Sequence, residues 1–171
     1  FNQHIKFSEE RILRGRFHKN LTDQYDFFIA GSDQVWNPYY TSGNETKFLH
    51  FASEEKRIAF SASMGVDHLP EHVTESYRQG LSRFRSISVR EDAAKTIIEE
   101  LTGRKDIEVL VDPTMLLTGI EWEKVSVKPG IPYNSRYILA YFLGGLGKRE
   151  TVIKSIAEKY SCEMIDIYDM N

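Results

Sequence analysis

Residues 25–36 read YDFFIAGSDQVW. Phe27, Phe28, Ile29 and Ala30 are apolar at successive positions, and the run stops in Gly31, Ser32, Asp33 and Gln34 just ahead of Trp36. An alternating pattern would describe a strand buried on one face. A continuous one implies burial on both faces, as in a parallel sheet covered by helices. A plain turn needs one Gly or one Asp, whereas this strand ends in a packed set of small and polar groups. In open parallel sheets that is the edge where ligands bind.

The same grammar repeats along the chain. RIAFSA (57–62), SISVR (86–90), IEVLV (107–111), RYILAYFL (136–143) and EMIDIY (163–168) join DFFIAG (26–31) as short runs rich in β-branched or aromatic residues. Between them lie helical stripes. Val73, Tyr77, Leu81 and Phe84 predict a helix over 71–84; Ala94, Ile97, Ile98 and Leu101 predict another over 91–102, closed by Gly103 at the C′ position. Val152, Ile153, Ile156 and Tyr160 predict a third over 148–160, and Thr118-Gly119-Ile120-Glu121 has the capping-box form ahead of a short helix carrying Trp122. Strand and helix alternate, so the class is α/β with a mainly parallel sheet, flanking helices and right-handed crossovers.

VSVKPGIPYNS (125–135), with two prolines and a glycine, reads as a linker and sets a domain boundary near residue 131. The segment 1–131 is then one domain, and 132–171 the start of a second. One helix and two strands cannot close a core, so the second domain is expected to be truncated and the chain, which begins without Met, to be a fragment.

At 171 residues the chain can bury a core. Lys and Arg total 22 against 25 Asp and Glu, a net charge of -3 without the basic surplus of a nucleic-acid binder. A single cysteine, Cys162, forms no intrachain disulfide, and no Cys/His cluster has zinc spacing, so no metal site is expected. No run approaches the roughly 18 apolar residues of a membrane helix, and the first twenty residues are too charged for a signal peptide. A reducing cytoplasm fits.

Each strand end reads both as a ligand edge and as ordinary structure. Arg90-Glu91-Asp92 follows the third strand, Asp112-Pro113-Thr114 the fourth, and Ser61-Ala62-Ser63-Met64-Gly65 the second. Asp33 or Ser32 also suits a helix cap, Asp112-Pro113 a turn, Asp92 a cap, and Trp36 packing. Arg90 is different, because a cation between a strand end and a helix start opposes the helix dipole unless an anion accompanies it. Gly144-Gly145-Leu146-Gly147 could cradle a phosphate but lacks the dinucleotide spacing. His50, His68 and His72 are scattered, and Asn44-Glu45-Thr46 matches a glycosylation sequon that has no secretion signal beside it.

Taken in order, YDFFIAGSDQVWNP, KRIAFSASMG, SISVREDAA, VLVDPTMLL with Trp122, and YILAYFLG resemble the polysaccharide pyruvyl transferase family from about residue 20 onward, GSDQVWNP and SVRED being the most specific elements. The resemblance implies a two-domain, GT-B-like architecture of Rossmann-like halves, of which 1–131 is the later part of the N-terminal one. It implies bacterial, cytoplasmic transfer of the enolpyruvyl skeleton of phosphoenolpyruvate to a sugar of a cell-surface glycan precursor, with no cofactor beyond that donor substrate. Peripheral membrane association would come through a lipid-linked acceptor. Arg90 matches the family arginine suited to the donor's anionic groups, and from their place at the strand ends Gly31, Ser32, Asp33, Gln34, Ser63 and Asp112 are expected to be substrate-binding. The family's serine, histidine and glycine run and its catalytic basic residues have no match here, so the chain alone is expected to be inactive. Two other readings stand beside this one: a GT-B-type glycosyltransferase using a nucleotide sugar, and a non-catalytic sugar- or ligand-binding module.

Overall fold

The computed structural model of the chain describes residues 5–7, 19–40, 45–127, 136–142 and 144–168. It divides into two compact units, Phe1–Glu123 and Lys124–Asn171. In the first, β1 (Phe28–Ala30), β2 (Arg57–Ala62), β3 (Ser86–Val89) and β4 (Glu108–Val109) lie side by side in chain order, every neighbouring pair parallel. α1 (Glu71–Leu81) joins β2 to β3, and α2 (Asp92–Thr102) joins β3 to β4. The protein is therefore α/β with a parallel sheet flanked by helices, as the alternating runs predict. The crossover from β1 to β2 carries short 3-10 turns at Glu45–Phe48 and Glu54–Lys56.

The helical stripes land where the core is. Tyr77 and Leu81 of α1 and Ala94 and Ile98 of α2 have no solvent exposure, and they close over Ala62, Ile87 and Val89 of the sheet together with Trp36, Phe48 and Met64. α1 stops at Leu81, three residues short of the predicted span: Ser82 turns both its N–H and its hydroxyl onto the Arg78 carbonyl, satisfying the end of the helix locally. α2 ends as expected, with Gly103 in the left-handed region at φ 73° and its N–H on the Glu99 carbonyl.

Burial on both faces is found along most of β3, while Ile58 and Phe60 of β2 are half-buried. Along β3, Ile87, Ser88 and Val89 are all buried, whereas Ile29 of β1 is 62% exposed and both residues of β4 are exposed. Among the described residues β1 and β4 are the outer strands of this sheet, so each has a partner there on one side only. Both are also shorter than the apolar runs suggest, because strand length is set by pairing as well as by composition.

β2 is irregular near its end. Its register against β3 shifts between Ala59 and Ala62, and Ser61 adopts φ 49°. The shift takes Ser61 N–H out of the ladder, and the Ser88 hydroxyl replaces the lost partner: it accepts from Ser61 N at 2.9 Å and donates to the Ala59 carbonyl at 3.3 Å. This bulge directs the chain from Ala62 to Ser63 across the end of the sheet.

The second unit consists of β5 (Tyr137–Phe142) and β6 (Glu163–Tyr168), which are parallel, with α4 (Arg149–Lys159) packed on them. Ala140 and Ala157 are buried, while Tyr137, Leu139 and Tyr141 alternate on an exposed face, so β5 too departs from two-sided burial. Gly144-Gly145-Leu146-Gly147 forms the β5–α4 connection. The predicted boundary near residue 131 lies outside the described residues, as do Leu143 and the Asn44 sequon position; the division between the units falls within α3 (Gly119–Val125). Among the described residues no helix is long and apolar enough to cross a membrane.

One contact fixes the end of β1. Gly31 has φ 137°, and a Cβ there would sit 2.1 Å from the Phe60 carbonyl oxygen, backbone that cannot yield. Gly31→Ala should therefore cost more than about 2 kcal/mol in denaturant-induced unfolding. A change below about 0.5 kcal/mol, the level of an ordinary surface substitution, would contradict this contact.

Candidate functional site

The carboxyl ends of the strands are stitched together by backbone hydrogen bonds that continue beyond the regular ladder. Ser63 N–H donates to the Asp33 carbonyl at 3.1 Å and Trp36 N–H to the Ser63 carbonyl at 3.1 Å, tying the ends of β1 and β2. Arg90 N–H donates to the Ala62 carbonyl at 3.2 Å, tying β2 to β3, and Leu110 N–H to the Val89 carbonyl at 2.8 Å, tying β3 to β4. The Ser61 hydroxyl adds a 2.8 Å bond to the Val111 carbonyl. Side chains on such a frame are held by the sheet itself, which is how an open parallel sheet presents a ligand edge.

Arg90 is the centre of that edge. Its Nη1 donates to Asp112 Oδ2 at 2.7 Å; its Nη2 lies 3.9 Å from Asp33 Oδ1, and its Nε 4.0 Å from Glu91 Oε1. The side chain is 26% exposed. The cation at the strand end thus has an internal anion, Asp112, so the dipole argument alone does not call for a ligand. One guanidinium among three carboxylates gives the group a formal charge of -2 when all are ionised.

Asp112 does two jobs. Its Oδ1 accepts from Thr114 N–H at 3.0 Å and from the Thr114 hydroxyl at 2.8 Å, capping the 3-10 turn Pro113–Leu116, while Oδ2 takes Arg90. The Thr114 bonds first, and Arg90 after them, hold its carboxyl down at about 2. Asp112 is thus both the turn residue and the partner of Arg90.

Of the other expected residues, Ser63 is buried and its hydroxyl donates to Glu91 Oε1. Asp33 is 93% exposed and caps no helix; it accepts from Gln34 N–H at 2.7 Å. Gln34 accepts from Asn37 Nδ2 at 2.7 Å and lies against Gly65, where a Cβ would meet the Gln34 amide at 2.6 Å. Gly31 and Ser32 form the turn out of β1, and Trp36 is fully buried, its Nε1 donating to the Lys47 carbonyl. Ser63, Arg90, Asp33 and Asp112 are therefore brought together, whereas Trp36 is packing. Asp92 opens α2 with no side-chain capping bond at that helix start, and the predicted capping box is realised at Thr118 and Glu121, whose side chains satisfy each other's backbone N–H.

Sequence reasoning gave no individual role to two residues beside this edge. Glu91 is the N-cap position of α2, yet makes no capping bond; it turns toward Ser63, and its Oε2 is buried with no hydrogen-bond partner among the described residues. Its adjacency to Arg90 was the available signal. Lys47 lines a cleft of about 300 Å³ with Gly31, Val35 and Thr46 at the β1 turn. Its Nζ donates to Tyr77 Oη at 3.0 Å, which donates in turn to the Trp36 carbonyl at 2.8 Å, and it lies 4.3 Å from the centre of the Tyr77 ring. Burial lowers Lys47 to about 8. No periodicity surrounds it in the sequence. Among the described residues no group of three or more His, Cys, Asp or Glu could hold a metal ion.

The family model for polysaccharide pyruvyl transferase matches residues 2–171. No curated protein and no solved structure gives a significant match.

The Lys47 environment is testable through stability. Between about 8 and its ordinary 10.5, the unfolded chain keeps a proton that the folded chain has released, so folding becomes more favourable as pH rises through that window. Relative to Lys47→Met, the wild type should gain roughly 1 kcal/mol across it, a figure reduced for the solvent around a half-buried ammonium. Denaturant titrations in which the difference stays constant with pH would show that burial does not perturb Lys47.

Proposed function

The chain belongs to the polysaccharide pyruvyl transferase family, and we propose that it moves the enolpyruvyl skeleton of phosphoenolpyruvate onto a sugar of a glycan precursor, closing a pyruvate ketal. The balance is simple. The C2–O bond to phosphorus breaks, C2 takes two oxygens from two sugar hydroxyls, and the methylene becomes a methyl by gaining a proton. Of the two hydroxyl protons, one matches that gain and the other leaves with hydrogen phosphate. No cofactor is called for by this stoichiometry.

What supports the reading is the convergence at one rigid edge of Arg90, the Asp33 turn, Ser63 and Asp112, within a chain that matches the family along nearly its whole length. Arg90 is the main substrate-binding group. Gly31 and Ser32 allow the turn to approach a ligand closely, Gln34 and Ser63 offer neutral hydrogen-bonding groups, and Asp33 and Asp112 orient the guanidinium. A planar guanidinium presents a fork of donors, so Lys in its place keeps the charge and loses the geometry. The two parallel sheets are read as belonging to the Rossmann-like domains of a GT-B-like protein, 1–131 as the later part of the N-terminal domain and 132–171 as the truncated start of the second, acting in the cytoplasm on an acceptor that a lipid can carry at the membrane surface.

Arg90→Ala in the intact protein should lower kcat/KM by about 10²-fold or more, the value of losing two hydrogen bonds to a fixed cation. Arg90→Lys should recover part of this. Phosphate release and ketal formation with phosphoenolpyruvate and a sugar acceptor provide the assay, and thermal unfolding checks that the fold survives. Kinetics within about threefold of wild type would overturn the assignment of Arg90.

A further inference from the structure

Arg90 is held by an anion of the chain itself. Among the described residues its guanidinium makes one direct hydrogen bond, from Nη1 to Asp112 Oδ2 at 2.7 Å. Asp33 Oδ1 and Glu91 Oε1 lie 3.9 Å and 4.0 Å from its other nitrogens, beyond hydrogen-bonding reach. Asp33 is 93% exposed, so water screens it, and Glu91 Oε1 is taken by the Ser63 hydroxyl. Asp112 is therefore the carboxylate with the close hold on the arginine, a charge-assisted bond of the kind a ligand carboxylate would make.

The two oxygens of Asp112 have separate duties. Oδ1 accepts from Thr114 N–H at 3.0 Å and from the Thr114 hydroxyl at 2.8 Å, and both bonds belong to the 3-10 turn Pro113–Leu116. Oδ2 serves Arg90. Both side chains reach the surface, Asp112 at 29% exposure and Arg90 at 26%. When Oδ2 gives up the guanidinium, Asp112 keeps its cap and the freed oxygen meets water, so no buried polar atom is left unpaired. The contact can be exchanged without disturbing the turn that carries it.

Resting on the reading of Arg90 as the donor-binding arginine, we propose that Asp112 is an internal competitor for Arg90, displaced by the donor's anion on binding, and that this exchange sets the affinity an anion must have to stay on the edge. Asp112 is tethered, so its hold involves no loss of translational freedom, whereas a free carboxylate loses that freedom to form the same bond. A ligand with a single carboxylate gains too little from the trade. Phosphoenolpyruvate brings a carboxylate and a phosphate, and the second group supplies what the first lacks. Every anion that takes Arg90 is weakened by the same factor, which drops monoanions out of the useful range and keeps the donor within it. Asp112 determines specificity in this way, through a threshold and without touching the ligand.

Asp112→Asn separates the two duties. Asn caps about as well as Asp, with its one oxygen on Thr114 N–H and its amide NH₂ toward Arg90, where two donors form no bond. Asp112→Ser keeps a capping hydroxyl on a shorter side chain. Binding of phosphoenolpyruvate and of pyruvate to the intact protein and to both variants is read by isothermal titration calorimetry, with thermal unfolding as the check on folding. Both variants should bind phosphoenolpyruvate about tenfold more tightly than wild type, and pyruvate should tighten by a similar factor. Asp33→Asn removes the same charge without that contact, and should tighten binding by less than about threefold. Affinities for phosphoenolpyruvate that weaken or stay within about twofold in both Asp112 variants would overturn the proposal. So would an equal gain in Asp33→Asn, pyruvate bound by wild type as tightly as phosphoenolpyruvate, or no saturable phosphoenolpyruvate binding by any of the proteins. Tightening as expected with no ketal formed leaves the exchange standing and pyruvyl transfer fallen; ketal formation with unchanged affinity in the variants does the reverse.

Discussion

The approach of the β1 turn to the Phe60 carbonyl governs the site. Because Gly31 has no side chain, the turn can pass directly over the β2 backbone, with φ 137° and no room for a Cβ. The Asp33 carbonyl is then in place to accept from Ser63 N–H, and the Ser63 carbonyl to accept from Trp36 N–H. Those bonds set Trp36 in the core and leave the Asp33 carboxylate facing solvent near Arg90. The bulge at Ser61 completes the arrangement on the β2 side, with the Ser88 hydroxyl repairing the ladder where the register slips. Local backbone conformations of this kind cost free energy, and they recur where a site needs a side chain re-aimed.

Charge balance then decides what the edge can hold. A lone strand-end arginine would suit a phosphate, and a helix N-terminus behind it would reinforce that preference. Here Asp112 already neutralises the guanidinium, and Asp33 and Glu91 flank its remaining fork. An incoming anion must therefore compete with these carboxylates for the guanidinium, to which it would bring charge-assisted hydrogen bonds. At the same turn, Lys47 brings positive charge to a cleft that Ile29, Val35 and Leu49 also line, where burial keeps its proton loosely held.

The strands and helices were legible because their apolar runs and stripes are strong: Tyr77, Leu81, Ala94 and Ile98 all face the core that their spacing predicts. The lengths of β1 and β4 were not, since composition does not reveal where pairing stops, and the continuous run around Ile29 belongs to an outer strand. Arg90, Asp33, Ser63 and Asp112 could be found because each sits just past the carboxyl end of an apolar run, where a parallel sheet presents its ligand edge. That Asp112 is both cap and ion-pair partner could not be, because its two oxygens serve groups from different parts of the chain. Glu91 was hidden by side-chain direction, which the sequence does not encode at an N-cap position. Ser61 was hidden by a bulge within a run, RIAFSA, that reads as a regular strand.

The central claim is that the carboxyl ends of β1 to β4 form the ligand edge. Hydrogen exchange of the intact protein, followed by mass spectrometry with and without phosphoenolpyruvate and a binding glycoside, tests it most directly. Ligand should slow exchange in segments 31–36, 61–65, 88–92 and 110–114, which contain the strand ends and their linking bonds. Protection confined to the opposite ends of the strands, in 54–57, 84–86 and 104–107, or none in the four segments, would contradict it.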